Sequence, residues 1–153
     1  MKYWGTIMAV LAITTTLTFA AQAEEMATPM EAKELTNKAM ELVATQGRET
    51  AFKTFADAAG DFQPKDLYMF CLDMQGVMIF HAKKPQLVGK NLLAFNKYGD
   101  MLFTDMTNLA KSEGEGWVNY HWPYPGSEEI KEKASYIKSA SDHSFYCGSG
   151  AYK

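Results

Sequence analysis

The stretch GEGWVNYHWPYPGSEEIKEKASYIKSASDHSFYCGSGAY, residues 114–152, decides the fold of this chain. It contains two of the three Trp and five of the eight Tyr, so much of the aromatic content lies in one region. Its PYPG and SASD segments carry turn residues and separate three runs rich in aromatic and β-branched residues, a pattern that predicts strands. We expect strands over about 116–122, 132–140 and 144–152, joined as a meander. A lysine among so many rings suggests that one sheet face forms a polar-lined pocket.

The composition is typical of a single folded domain with a sizeable core. The chain has 153 residues, of which 47% are hydrophobic and 13% aromatic. Its formal charge is −3, and Arg48 is the only arginine, so the basic surface that binds a phosphate backbone is missing. Nucleic acid is therefore not an expected partner.

The first residues predict an export signal. Lys2 precedes an uncharged apolar run from Tyr3 to Ala20, and the run ends in Ala21-Gln22-Ala23, a small-x-small cleavage pattern. We expect residues 1–23 to be removed, residues 24–30 to form a flexible mature terminus, and the mature chain to be soluble in the periplasm or secreted. The alternative is an uncleaved segment that anchors the chain in the inner membrane.

Two helical segments are expected before the sheet. A helical face begins after Glu31 and carries Leu35, Ala39, Leu42 and Val43. Gly47 should end or kink this helix, and a second amphipathic segment follows over 48–59. The mixed charge of the polar face favours helices packed on a sheet over helices on a membrane surface.

Residues 67–82, LYMFCLDMQGVMIFHA, predict a β-hairpin whose turn contains Gly76. Both runs are apolar on both faces, so we expect the hairpin to lie centrally in the sheet and to be covered on both sides. Strand alternation places His81, at the end of the second run, on the same side as Val77 and Ile79.

The apolar residues of segment 83–96 follow neither a helical nor a strand periodicity, and a connection of this length is often functional. After it, Asp100 is expected to cap a short helix that Gly114 closes. Helices and antiparallel strands segregated in this order predict an α+β fold.

Several of these segments together resemble a bacterial extracellular sensor family, the single Cache domain of the second type. The resemblance covers about residues 35–152 and rests on AFKTFADAAGDF, LYMFCLDMQGVMIFHAKKPQLVGKNL, GEGWVNYHWP, KEKASYIK and FYCGSGAY in this order. It implies a PAS-like five-stranded antiparallel sheet in the order 2-1-5-4-3. It also implies a long N-terminal helix behind the sheet and a short helix between the second and third strands. One Cache-like domain would then span residues 31–153.

The resemblance also implies a function. Family members bind small organic acids such as lactate, pyruvate, acetate or propionate, as the outer parts of chemoreceptors or sensor kinases. We therefore expect a stand-alone exported domain that binds a small carboxylate, with a membrane receptor or sensor kinase as its partner. The alternative is a non-catalytic accessory or structural subunit that uses the same fold for protein contacts.

A carboxylate removed from water needs a cation and hydrogen-bond donors. Lys133 is the candidate cation, since it lies in the KxSY pattern that recurs in the family. By alternation, Tyr120 and Trp122 share one face of their strand and Trp117 lies on the other, so only one set can line a pocket. The predicted ligand-binding residues are His81, Tyr120, Trp122, Lys133, Tyr136, Trp117 and Tyr68. Convergence of Lys133, Tyr120 and His81 on one cavity would favour binding, and a filled core would favour the structural role.

The sequence contains no pattern that indicates a catalytic, metal or cofactor site. The run Cys147-Gly148-Ser149-Gly150 lacks the spacing of a nucleophile elbow, and haem-attachment and zinc-ligand spacings are missing. The sheet order that the resemblance implies places Cys71 and Cys147 on adjacent strands. A disulfide and two buried thiols both remain open for this pair.

Overall fold

The computed structural model describes residues 25–153, so the predicted signal peptide and its cleavage before Glu24 lie outside the described residues. The elements are α1 (Pro29–Gln46), α2 (Arg48–Ala56), β1 (Phe70–Asp73), β2 (Met78–His81), a 3₁₀ turn (Pro85–Leu87), α3 (Leu102–Ser112), β3 (Glu115–Pro123), β4 (Ile130–Ser139) and β5 (Phe145–Tyr152). Within this range, no helix is both long enough and apolar enough to cross a membrane.

The five strands form one antiparallel sheet in the order β2-β1-β5-β4-β3. The predicted α+β class, sheet order and strand positions are confirmed. The meander of β3, β4 and β5 makes up three of the five strands, because the turns at 124–129 and 140–144 allow each strand to fold back on its neighbour.

The sheet has a core on each face. On the back face, α1 and α2 bury a cluster that includes Leu35, Phe55, Leu67 and Phe145. On the front face, α3 and the preceding connection bury a second, more aromatic cluster that includes Phe103. The front core is the one in which the candidate site lies.

The segment before α1 is bound to the rest of the fold by several hydrogen bonds. Thr28 and Glu31 form a reciprocal capping box at the start of α1. The backbone N–H of Ala27 donates to Asp66 Oδ1 at 2.7 Å, and Ala27 is buried. Residues 27–30 therefore have defined contacts in the structure, and the flexibility expected over residues 24–30 stays a prediction.

A β-bulge changes the direction in which His81 points. Cys71 pairs with Phe80 while its neighbour Leu72 pairs with Met78, so Ile79 is an extra residue in β2. Phe80 then faces the back core, and His81 returns to the front face with Met78. The prediction that His81 shares a side with Ile79 is wrong, because the extra residue breaks the simple alternation.

Two further expectations require correction. β2 forms an edge of the sheet, where segment 89–91 partly covers it, so the hairpin is not central. Asp100 does not cap α3: its Oδ2 accepts the backbone N–H of His121 at 2.7 Å and contacts the His121 ring at 2.9 Å. Gly114 ends α3 as expected, at φ 80° with its N–H bonded to Leu109 O.

The front face of β5 is formed partly by glycine, which lets other side chains approach. A Cβ on Gly150 would lie 2.7 Å from the Ala134 carbonyl oxygen, and one on Gly148 would lie 2.9 Å from the Phe70 ring. These glycines leave room for Ser135 and Phe70 beneath the candidate site.

Cys71 and Cys147 are directly paired residues of β1 and β5 and form a disulfide within the back core. Of the two alternatives that the sequence left open, the structure contains the bridge.

We predict that removing this disulfide destabilises the fold without changing its topology. The bridge closes a loop with a sequence separation of 76 residues, and the loop-entropy treatment assigns about 4 kcal/mol to a loop of this length. Urea denaturation of the Cys71→Ala/Cys147→Ala variant should show this loss. A free energy of unfolding equal to that of the oxidised wild type would contradict the prediction.

Candidate functional site

A small cavity lies between the front face of the sheet and α3. Its lining residues are Tyr68, Phe70, His81, Leu102, Phe103, Met106, Tyr120 and Trp122. Its volume is about 10 Å³, which is close to the minimum for one water molecule. The polar atoms belong to strand residues and to Tyr68, whereas α3 contributes only apolar side chains.

Tyr68 is the residue that connects the parts of the site. It lies just before β1, is 5% exposed, and has its ring centroid 5.1 Å from that of His81. Lys133 Nζ donates to the Tyr68 hydroxyl at 3.0 Å. Because this bond uses the hydroxyl oxygen as acceptor, it leaves the Tyr68 O–H as a donor, for which the neighbouring Tyr152 hydroxyl is one acceptor.

Lys133 is a buried cation held mainly by aromatic groups. It is 1% exposed, and its Nζ lies 4.2 Å from the Tyr68 ring centroid and 4.4 Å from that of Tyr152. Within the described part of the chain, Lys133 forms no ion pair with a carboxylate. Cation–π contacts and one hydroxyl replace only part of the hydration of an ammonium group.

The pKa of Lys133 reflects this buried, mainly aromatic environment. Burial lowers it from 10.5 to about 7, an effect that the charge of Asp66 opposes and the charge of Lys84 reinforces. Lys133 therefore lies near the point at which it can gain or lose its proton at neutral pH.

His81 is a neutral donor with a defined tautomer. Its Nδ1 accepts the backbone N–H of Lys83 at 3.2 Å and that of Lys84 at 3.0 Å, so the proton resides on Nε2. Burial, followed by the charges of Lys133 and Lys84, lowers its pKa to about 3. At neutral pH the ring therefore offers one N–H to the cavity and carries no charge.

Tyr120 and Trp122 of β3 line the same side of the cavity as Tyr68 and His81. The hydroxyl of Tyr120 pairs with Ser135 Oγ at 2.7 Å, and burial raises its pKa above the ordinary value. The Trp122 ring is buried and lies 5.0 Å from Lys84 Nζ. Trp122 separates the inner cavity from the protein surface.

A larger recess, which we call the vestibule, adjoins the cavity on its outer side. It has a volume of about 300 Å³ and is lined by Tyr68, Lys83, Lys84, Trp122, Pro123, Tyr124, Pro125, Gly126, Ser127 and Tyr152. Tyr68 and Trp122 line both spaces, so these two side chains form the wall between them. The two lysines make the vestibule a positively charged approach to the cavity.

The structure brings five of the seven predicted site residues together: Tyr68, His81, Tyr120, Trp122 and Lys133. His81 and Tyr120 line the cavity directly, whereas Lys133 lies behind Tyr68. Trp117 and Tyr136 do not join them. Their rings pack against each other at 5.3 Å, and Lys33 of α1 lies over Tyr136, which places this pair on the back face.

The sequence did not identify several residues that shape the site. Tyr152 packs against Lys133 and lies on the same face of β5 as the front-facing Tyr146, a parity that could have identified it. Asp66 Oδ2 is buried and, among the described residues, lacks a hydrogen-bond partner. Segment 83–96 contributes only Lys83 and Lys84 to the vestibule, while α3 forms the wall of the cavity.

A larger groove of about 540 Å³ lies on the back of the molecule between α1 and the end of β4. Its only lysine, Lys138, is already bound to Asn37 and Glu115 and is half-exposed. A carboxylate there would stay in contact with water and compete with Glu115. We therefore place the candidate site at the front cavity despite its smaller volume.

Sequence comparison finds sensor proteins. The Cache domain family matches residues 15–153. The methyl-accepting chemotaxis protein McpP of Pseudomonas putida is 36% identical over 88 residues, which are 57% of this chain and 16% of that receptor. The sensor histidine kinase MctS of Rhizobium johnstonii is 27% identical over 166 residues, covering 95% of this chain and 36% of that kinase. The chain thus spans well under half the length of these two relatives.

Solved structures show the same fold. The periplasmic sensor domain of a chemotaxis protein superposes with a TM-score of 0.63 at 25% identity, over 80% of this chain and 88% of that one. A Cache chemosensory domain described for its carboxylic acid recognition superposes with a TM-score of 0.61 at 28% identity, over 80% and 86% of the two chains.

We predict that Lys133 makes stability depend on pH above neutrality. Its pKa is about 7 in the folded protein against 10.5 for an ordinary lysine, so above pH 7 the unfolded chain binds more protons. The free energy of unfolding should therefore rise with pH between about 7 and 9.5, by at most about 1.4 kcal/mol per unit. Urea denaturation of wild type and Lys133→Met across this range measures the effect.

The difference between the two proteins isolates the lysine, because other titrating groups are common to both. Wild type should gain stability relative to Lys133→Met as the pH rises. A difference that stays constant from pH 7 to 9.5 would mean that Lys133 keeps an ordinary pKa.

Proposed function

Because this chain belongs to the Cache domain family, whose members are sensory ligand-binding domains, we propose that it binds a small monocarboxylate in the front cavity. The observation that supports this most directly is the arrangement of Lys133, Tyr68 and His81. His81 and Tyr68 line the cavity with a fixed imidazole N–H and a hydroxyl, and Lys133 provides a buried cation directly behind Tyr68.

The physical reason is desolvation. A carboxylate loses its hydration on entering a buried site and needs a cation and donors in exchange. Lys133 has two N–H donors beyond the one given to Tyr68, and a bound anion would supply the carboxylate that the buried ammonium lacks among the described residues. The binding of the acid would thus stabilise the protonated form of Lys133.

Binding requires the cavity to enlarge. Its volume of about 10 Å³ is close to the minimum for a single water molecule, so a monocarboxylate does not fit without a movement of the lining side chains. We propose that Tyr68 and Trp122, which form the wall toward the vestibule, move apart as the acid enters. Lys83 and Lys84 would attract the anion to the vestibule before this step.

Around this site we propose the wider role of an exported, non-catalytic sensor module. Under this proposal residues 1–23 are a signal peptide, residues 31–153 form the binding domain, and a chemoreceptor or sensor kinase receives the signal. A carboxylate is supported as ligand class by the similarity to a domain described for carboxylic acid recognition.

The small cavity also favours a second candidate, an accessory subunit whose front core is simply filled. The two functions predict different results in a thermal-shift screen of the protein with acetate, propionate, lactate and pyruvate. A bound ligand raises the melting temperature. No shift with any small acid, in a protein shown to be folded, would favour the accessory role.

We predict that Lys133→Met abolishes acid binding and leaves the fold intact. The substitution keeps most of the side-chain length but leaves a buried carboxylate without its cation, which should reduce affinity by about 2 to 5 kcal/mol. Isothermal titration calorimetry with the acid that gives the largest thermal shift measures this loss.

The matched control is Lys138→Met, which removes another lysine from β4 that points away from the cavity. Its affinity should equal that of wild type. Equal affinities for wild type and Lys133→Met would show that the carboxylate is held elsewhere.

A further inference from the structure

We propose that the α3 wall selects an acid with a short, unsubstituted alkyl tail over hydroxy, keto and dicarboxylic acids, and that Met106 sets the tail length. This inference rests on the proposed binding of a monocarboxylate in the same cavity. It follows from the separation of polar and apolar groups around that space.

The two sides of the cavity differ in chemistry. Tyr68, His81 and Tyr120 provide polar atoms from one side, and Leu102, Phe103 and Met106 of α3 face them. The α3 residues are 2%, 3% and 0% exposed. An acid whose carboxylate contacts Tyr68 and His81 must therefore direct its remaining carbons toward α3.

The α3 wall has no free hydrogen-bonding group for a substituted tail. The Thr107 hydroxyl donates to Phe103 O at 2.7 Å and pairs with the Tyr146 hydroxyl at 3.0 Å. On the opposite side, the Tyr120 hydroxyl pairs with Ser135. A hydroxyl or keto oxygen directed toward the apolar side chains of α3 would lose its hydration without a new partner, which disfavours such acids.

A second carboxylate on the ligand is disfavoured at the α3 wall, because no cationic side chain among the described residues lies there. The lysine of α3, Lys111, lies at the exposed C-terminal end of the helix, one turn or more beyond the cavity residues. Lys83 and Lys84 line the vestibule on the other side of Trp122. A short dicarboxylate held at Tyr68 would therefore bury its second charge among apolar side chains.

Met106 is the α3 side chain that can change shape most readily. Phe103 is fixed by edge-to-face contacts with two rings. Its ring centroid lies 5.6 Å from that of Phe95 and 6.1 Å from that of Trp122. Met106 is unbranched and has no aromatic partner of this kind among the described contacts, so its rotamers can adapt to a tail. Shortening Met106 should extend the tail space by two or three heavy atoms.

The experiment is a calorimetric series of acids with the full chain after export. Propionate, butyrate and pentanoate vary the tail length, and lactate, pyruvate and succinate add polar groups. Wild type should bind propionate about 10-fold or more tightly than lactate. Met106→Ala should move the preference toward butyrate or pentanoate by about 10-fold.

The matched control is Met78→Ala, which truncates another fully buried methionine of the front core that does not line the cavity. It should lose stability similarly but keep the tail-length preference of wild type. If Met106→Ala does not fold, Met106→Val shortens the side chain more mildly and should shift the preference in the same direction.

The outcomes separate this inference from the function on which it rests. If folded wild type binds none of the acids, the proposed function itself fails. If it binds lactate or succinate as tightly as propionate, or if shortening Met106 leaves the tail-length preference unchanged, carboxylate binding stands and selection by the α3 wall is overturned.

Discussion

The contact between Lys133 and Tyr68 is the interaction on which the site depends. A lysine that is 1% exposed, with its Nζ bonded to one hydroxyl and placed over two tyrosine rings, carries a desolvation cost that these contacts offset only in part. Apolar side chains would fill this volume with less cost to stability. The anion binding that we propose would account for this arrangement, because an anion would supply the counter-charge that the ammonium lacks among the described residues.

The surrounding fold keeps the polar groups in position while the other side of the cavity remains apolar. The bulge at Ile79 turns His81 to the front, and two backbone N–H groups fix its protonated nitrogen. Gly150 permits Ser135 to lie close enough to bond Tyr120. The disulfide between β1 and β5 lies on the opposite face, so it ties the central strands together without entering the site.

The sequence predicted the meander and the hairpin, because turn residues and aromatic spacing are local signals. The sheet order followed from the family resemblance. The orientation of His81 could not be predicted, because simple strand alternation does not include a bulge such as the one at Ile79. Alternation predicted that Trp117 lies opposite Tyr120 and Trp122 without deciding which set lines the pocket, and the sheet places Trp117 with Tyr136 on the back face. The α3 wall depends on contacts between distant segments, which no local pattern contains.

The most direct test of the account is a crystal structure of the protein grown with propionate. We expect the carboxylate within hydrogen-bond distance of the Tyr68 hydroxyl and His81 Nε2, beside Lys133, with the alkyl tail against Met106. The volume of the front cavity should then exceed the value of about 10 Å³ that it has without a ligand. Propionate in the groove between α1 and β4, or in the front cavity with its carboxylate away from Tyr68 and Lys133, would contradict the account.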